Sequence, residues 1–399
     1  MQHTEALVNC GQFSLGSITL KTKPTNVMDD IIIREVKTRK DKRKFIYLPE
    51  KIHRNNPTWL PPLYIDEREL FNEKKNKSYQ HADTVLYLAC RNGEIVGRIM
   101  GIMHRKYNEI HNEQHGRFCF LECFEDQNVV HALIGKVENW AREKGAVKLV
   151  GPLGFSDKDP QGFQVEGFGC PKFIVSPTND PYLPEMIARE GYVKYRDLVN
   201  YLGKTPDKLP EAYEKILSRV SLNGYRIIEF KSKKELKPYF YPMLDLMNET
   251  FREIYGFVPL SENEKKEFIA RYMIIMDPKF IKAVEGSNGL IGFAVGMRDI
   301  SEGVKKAGGR ILPFGILSIL RESRRSDKLL MLLGGVKKDY RGKGIDVLMA
   351  IKLLQSCIEN KIKLIDSHLI LEDNHKMRAE CERINARVVK RFRIYQKDL

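Results

Sequence analysis

Apolar and polar positions along the chain fall into the same succession twice. Thr84 to Cys90, the turn Asn92-Gly93 and Glu94 to Met103 predict a β-hairpin, because two apolar-rich arms flank a dipeptide that tolerates left-handed backbone. An aromatic strand follows at Phe118 to Phe124. After it come a helix from about Asn128 to Lys144, a short strand at Val147 to Val150, and a helix at Pro184 to Glu190 closed by Gly191-Tyr192. The second half repeats the order, with a hairpin at Phe280 to Glu285, Ser287-Asn288-Gly289 and Leu290 to Met297. Leu329 to Val336, Asp346 to Ile358, Leu364 to Leu371 and Met377 to Ile384 then read as strand, helix, strand and helix, before a last strand at Arg387 to Tyr395. The repeat is far longer than a solenoid's, so the pattern predicts a duplicated domain. The expected fold class is α/β of the α+β kind: two tandem domains, each a mixed, mostly antiparallel sheet flanked by helices.

The boundary falls where Lys, Pro, Thr and Asp cluster, at Gly203 to Pro210. We expect a first domain over 29–203, a linker over 204–212 and a second domain over 213–399. Residues 1–28 show little periodicity and are expected to be a disordered extension. Met28, just before the strand-like Asp30 to Val36, is an alternative start of translation. A chain of 399 residues is long enough for two real cores.

Charge narrows the partners. Lys and Arg number 67 against 52 Asp and Glu, a net +15, which suits an acidic partner: nucleic acid, anionic lipid, an acidic acyl carrier protein or the phosphates of CoA. The 7 cysteines are scattered and odd in number, without a C-x-x-C pair. No His stands beside Cys119 and Cys123, so no metal is expected, and a reducing, cytoplasmic compartment is. No stretch approaches the roughly 20 apolar residues that span a bilayer.

The most informative string is Tyr340-Arg341-Gly342-Lys343-Gly344-Ile345, between the strand ending at Leu333-Gly334-Gly335-Val336 and the helix that follows. Glycines let backbone N–H groups crowd a phosphate oxygen, and the helix N-terminus adds the positive end of its dipole. A diphosphate-bearing donor fits there, although an ordinary basic surface turn has the same composition. Neither the P-loop nor the dinucleotide spacing is present. The first half has Glu125-Asp126-Gln127 at the equivalent point, acidic and without glycine, so only the second half is expected to bind donor.

Arg341 and Gly344 match two positions of the pattern [QR]-x-x-G-x-[GA], and on this and the downstream order the second half resembles the GNAT acyltransferase superfamily. Asp346 departs from the pattern's last position. Pro313-Phe314-Gly315, Gly335 to Arg341 and Leu371 to Met377 resemble, within it, the tandem GNAT proteins of the YghO type, a group that includes bacterial ceramide synthases. The resemblance implies acyl-CoA or acetyl-CoA as co-substrate, with Leu333, Gly334, Gly335, Val336, Arg341, Gly342, Lys343, Gly344 and Ile345 on the donor. It places Asn374 on pantetheine, and Cys381 where the superfamily carries a Tyr general acid. It implies a long-chain acyl group, a sphingoid-type amine and work at the cytoplasmic membrane face; an acyl carrier protein is an alternative donor.

Acyl transfer to an amine needs a neutral amine, a polarised carbonyl and a proton for the departing thiolate. Glu372, ending the strand beside the donor loop, is the first candidate base and Glu122 the second. Cys381 is a candidate acid, because an unperturbed thiol of about 8.5 nearly matches the leaving thiolate, although a Cys within Met377 to Ile384 more often reads as a small core residue; Tyr340 and Tyr395 are alternatives. His368, mid-strand among apolar residues, reads as a core histidine. Gly151 to Gly169, with Pro152, Phe155, Phe163 and Phe168, suits a pocket wall or else an irregular loop filling the interdomain core. Ile311 to Leu320, with basic residues on both sides, suits a segment lying in a membrane surface, or else a buried connector. The other functions kept open are acetylation of a small amine, transfer from aminoacyl-tRNA, and non-catalytic binding by decayed GNAT halves. Nucleic acid is not an expected partner otherwise.

Overall fold

The structure, a computed structural model, describes residues 30–220, 224–287 and 289–399. The expected extension at 1–28 with Met28, and Asn288 of the second hairpin turn, lie outside the described residues.

In the first half, β1 (Ile32–Glu35), α1 (Arg39–Ile52) and α2 (Tyr64–Leu70) precede the hairpin β2 (Ala82–Arg91) and β3 (Glu94–His104). Then come α3 (Arg105–His111), β4 (His115–Cys123), α4 (Gln127–Glu143), β5 (Lys148–Gly151), β6 (Phe163–Glu166), α5 (Tyr182–Arg189) and β7 (Val193–Lys204). The second half opens with α6 (Glu211–Val220), β8 (Arg226–Glu229), α7 (Lys233–Thr250) and α8 (Glu262–Tyr272). Its hairpin is β9 (Ile281–Gly286) and β10 (Gly289–Arg298), followed by α9 (Ser301–Lys306) and α10 (Gly315–Arg325). β11 (Lys328–Val336), α11 (Ile345–Glu359), β12 (Leu364–Leu371), α12 (His375–Arg383) and β13 (Arg387–Asp398) complete it. The repeated strand, helix, strand, helix of the sequence is therefore present in both halves.

Sequence reading did not anticipate β7 as a strand, nor what β7 and β13 do. The strands form one sheet in the order β1-β2-β3-β4-β5-β13-β7-β12-β11-β10-β9-β8, with β6 beside β13. β13, the last strand of the second half, pairs antiparallel with β5 of the first, and β7, the last strand of the first, pairs with β12 of the second. β7 and β13 also pair with each other from Val193 to Leu202. Each half thus completes its sheet with the final strand of the other. Tyr395 of β13 accordingly packs in the first-half core, with Phe118, Phe163 and Tyr192.

Both halves contain a parallel pair that parts almost at once. β4 pairs with β5 only from His115 to Arg117, and β11 pairs with β12 only from Lys328 to Leu330. Bulges bend these strands out of register. In β4 the shift lies opposite Arg98 to Met100, where Phe120 has φ +52°. In β11 Leu332 is the extra residue opposite Val295 and Gly296. In β12 the shift lies between Asp366 and Leu369, with His368 at φ +56°. The gaps that result are V-shaped clefts floored by one continuous sheet.

Candidate active site

A single cavity of about 1250 Å³ joins the two clefts. In the second half it is lined by Met331 to Val336 of β11, by Ser367 to Leu371 of β12, and by the exposed start of α11 at Asp346 and Val347. In the first half Arg98, Cys119 to Glu122, Pro152 and Phe163 line it. Phe155, expected on the same wall, instead packs in the core beside Phe45 and Tyr64. Most of the remaining wall is apolar, drawn from α7, α8 and the segment Trp59 to Leu63.

The donor loop sits at the edge of this cavity, between the lining residues Val336 and Asp346. Gly342 and Gly344 have φ +75° and +80°, which an L side chain rarely adopts. Gly344 begins α11 and caps it with no side chain, while Asp346, two residues on, turns its Oδ1 back to accept from Val347 N at 3.0 Å. Arg341 Nε donates to the Val336 carbonyl at 3.2 Å, pinning the loop to the end of β11. Lys343 is exposed, its Nζ 5.0 Å from the Tyr340 ring centroid. Ile345 is fully buried against Val284, Ile291 and Met349, which anchors the helix start in the core. Gly335 is needed for packing: a Cβ there would lie 2.7 Å from Thr250 Oγ1 at the end of α7. Beyond Leu330, β12 offers no partner to β11, so the main chain of Leu333 to Val336 borders an open gap.

The first half is closed at the same point. Asp126 caps α4, its Oδ1 accepting from Asn128 N at 3.0 Å and Val129 N at 3.4 Å, while Arg91 ion-pairs with the same carboxylate. Two of the orphan N–H groups are satisfied and a carboxylate occupies the anion position.

Asn374 lines the cavity and caps α12, accepting from Met377 N at 3.2 Å. Glu372 lies outside the lining. Its Oε2 is 2.8 Å from Lys194 Nζ, and its Oε1 accepts from Asp197 N at 3.1 Å. A carboxylate so engaged is placed to hold β12 against β7, not to meet an acceptor. Tyr340 is also outside the lining and packs edge-on against Tyr225 at 5.9 Å. Cys381 lines the cavity but belongs to the core formed with Val199, Tyr201, Ile370 and Ala386. Burial pushes its thiol up to about 11, so it no longer matches a departing thiolate as the general-acid expectation required.

Glu122 does face the cavity, inside a polar cluster that sequence spacing did not reveal. Its Oε2 is 2.7 Å from Arg98 Nη2 and its Oε1 is 3.3 Å from His53 Nε2, while His53 Nδ1 lies 3.2 Å from Asp180 Oδ2. Glu67 is 3.6 Å from Arg98 Nη1. Burial would raise Glu122, but Arg98 and His53 outweigh it and hold the carboxyl below its usual range. Burial would lower His53, but Asp180 and Glu122 together raise it to about 9. Glu67 is pushed up to about 7 by burial, which Arg98 only partly offsets. The members come from positions 53, 67, 98, 122 and 180, so no local motif announces them.

Two halves with splayed parallel strands, joined through exchanged final strands, superpose on a tandem GNAT protein from the clavulanic acid biosynthesis pathway. The TM-score is 0.53 at 12% sequence identity, covering 92% of this chain and 98% of that one. The chain is thus a protein of the tandem GNAT fold. It is similar to Protein YghO of Escherichia coli, 26% identical over 379 residues that cover 92% of this chain and 95% of YghO. It is also similar to the bacterial ceramide synthase of Caulobacter vibrioides, 23% identical over 379 residues, covering 93% of this chain and 98% of that enzyme. No protein-family model matches the chain.

Proposed function

We propose that this chain is an N-acyltransferase of the GNAT type that moves a long acyl group from a CoA thioester to the amine of a long-chain, sphingoid-type base. The observation that carries the reading is the apolar cavity opening beside the glycine-led start of α11. Its volume of about 1250 Å³ exceeds the roughly 300 to 1,000 Å³ usual for small-molecule sites, which favours two lipid chains over a small amine. The ceramide synthase among the relatives supports the same acceptor class.

In this reading the N-terminus of α11, with Lys338, Arg341 and Lys343 around it, holds the diphosphate. Asn374 meets the pantetheine arm. The open main chain of Leu333 to Val336 offers N–H groups to the thioester carbonyl, whose oxygen gains charge as the amine attacks. Burial of the amine in an apolar cavity disfavours its ammonium form and so supplies the free base that attack requires.

The test is transfer itself. Purified protein, acyl-CoA of two to eighteen carbons, and a panel of sphinganine, spermidine and glucosamine should yield, by mass spectrometry, an amide with sphinganine and long acyl chains. Products confined to acetylated small amines would reject the lipid acceptor, and no product with any pair would reject acyl transfer from CoA.

A further inference from the structure

We propose that the imidazole of His368 takes the amine proton during acyl transfer and hands it to the leaving thiolate, a role that rests on the acyl-transfer reading above. Leu330 and Asp366 form the last pair before β11 and β12 part, so His368 stands two residues inside the opening, across from the bulge at Leu332. It lines the cavity.

The backbone there is held against its preference. A left-handed φ of +56° is uncommon for a residue other than glycine, and such outliers persist only when the surroundings fix them. The surroundings do. His368 N donates to Asp366 Oδ1 at 2.9 Å, and Asn200 Nδ2 donates to Asp366 Oδ2 at 3.0 Å and to the His368 carbonyl at 3.2 Å. Ser367 Oγ donates to that carbonyl at 2.9 Å and accepts from Tyr201 N at 2.9 Å. Asp366 and Asn200 are buried, so the clamp is sheltered from water.

The clamp grips only the main chain. Among the described residues nothing bonds the imidazole, and its Nδ1 is enclosed without a hydrogen-bond partner. With Nδ1 shut in, the nitrogen that a ligand in the cavity can reach is Nε2, which carries no bond to any described residue. Burial alone pushes the ring down to about 4, with no charged group contributing, so it is neutral at physiological pH and has a lone pair to offer.

The step balances without a further reagent. The amine nitrogen bonds to the thioester carbon, becomes positively charged and loses a proton to the ring. The carbon–sulfur bond then breaks, the amide carbonyl re-forms, and the thiolate takes the proton from the imidazolium. Amide, free thiol and neutral His368 remain. A ring that holds a proton weakly in this environment releases it readily to sulfur.

His368→Asn tests this without disturbing the bulge, since Asn accepts positive φ; His368→Gly accepts it too and leaves room for added imidazole. With palmitoyl-CoA and sphinganine, kcat should fall about 10² to 10⁴-fold in both, while calorimetric CoA affinity and Tm stay near wild type. Free imidazole should restore part of the turnover of His368→Gly and none of that of His368→Asn. Wild-type kcat in His368→Asn would overturn the proposal alone. So would loss of CoA affinity or of cooperative unfolding in both variants, which would make the residue structural. No transfer by the wild-type chain would overturn the acyl-transfer reading and this role with it.

Discussion

Asp126 and Gly344 stand at the same point of the two halves: Asp126 closes α4 with a carboxylate that accepts two of its first N–H groups, whereas Gly344 begins α11 with no capping side chain and only Asp346, inside the first turn, takes one N–H, that of Val347. Calorimetry with CoA should therefore show one site per chain. Gly344→Glu should abolish it, because the new residue puts a negative charge at the phosphate position and strains a φ of +80°. Asp126→Ala should cost about 1 kcal/mol of stability as a lost cap and leave CoA affinity unchanged. Two equivalent sites would contradict this assignment.

Cys381→Ala separates a cavity-wall thiol from a catalytic one. With the thiol raised to about 11 and packed beside Tyr201 and Ile370, the substitution should lower kcat less than about tenfold and reduce Tm slightly. A loss of about 10²-fold at unchanged Tm would restore Cys381 as the proton donor.

The segment expected at a membrane surface or in a connector divides between buried and exposed positions. Ile319 is buried against the second-half core, whereas Leu312, Phe314 and Leu317 are 74%, 75% and 64% exposed. Arg321, Arg324 and Arg325 are exposed on the same helix, and no carboxylate pairs with them among the described residues. Apolar tips beside unpaired arginines complement an anionic bilayer, each cation contributing on the order of 1 kcal/mol. Co-sedimentation with phosphatidylglycerol vesicles should rise with anionic content, fall with salt, and drop sharply in the double variant Arg324→Glu, Arg325→Glu. Sedimentation indifferent to these reversals would remove the lipid surface as the partner of α10.

His53 gives stability a sign with pH. Its pKa is about 9 in the folded chain against 6.5 for the unperturbed group, so its contribution is fully present below pH 6.5 and is lost as pH rises through about 9. The shift corresponds to at most about 3 kcal/mol. Urea unfolding of the wild type should weaken over that window by up to this amount relative to His53→Gln. Parallel curves for the two proteins would show that His53 is not charged in the fold.

What the sequence disclosed is what local pattern can carry. Strand, glycine turn and helix at Leu329 to Ile358 announce themselves through apolar runs and Gly342 and Gly344, and α11 and β12 lie within two residues of expectation. The acidic, glycine-free stretch Glu125-Asp126-Gln127 ahead of α4 was legible too, but not that Asp126 caps the helix. Pairing between distant strands has no such signature, so the exchange of β7 and β13 was hidden. His368 was hidden differently: an apolar run conceals a bulge, and only the register break beside Asn200 turns a core histidine into one that faces a cavity. Glu372 was misplaced by the reverse error, because proximity to the donor loop along the chain said nothing of Lys194 and Asp197 waiting on β7.

The exchanged strands also determine what a scissor can do to this protein. A cut between Lys204 and Glu211 divides the chain but not the sheet, since each fragment leaves with a strand whose place is in the other. Expressed alone, residues 211–399 would present β12 as a bare edge and carry β13 without its partners β5 and β7, a template for aggregation. Mixed, the two fragments hold complementary halves of one seam. The copy that lacks a donor loop is therefore not a spare: the copy that has one cannot close without it.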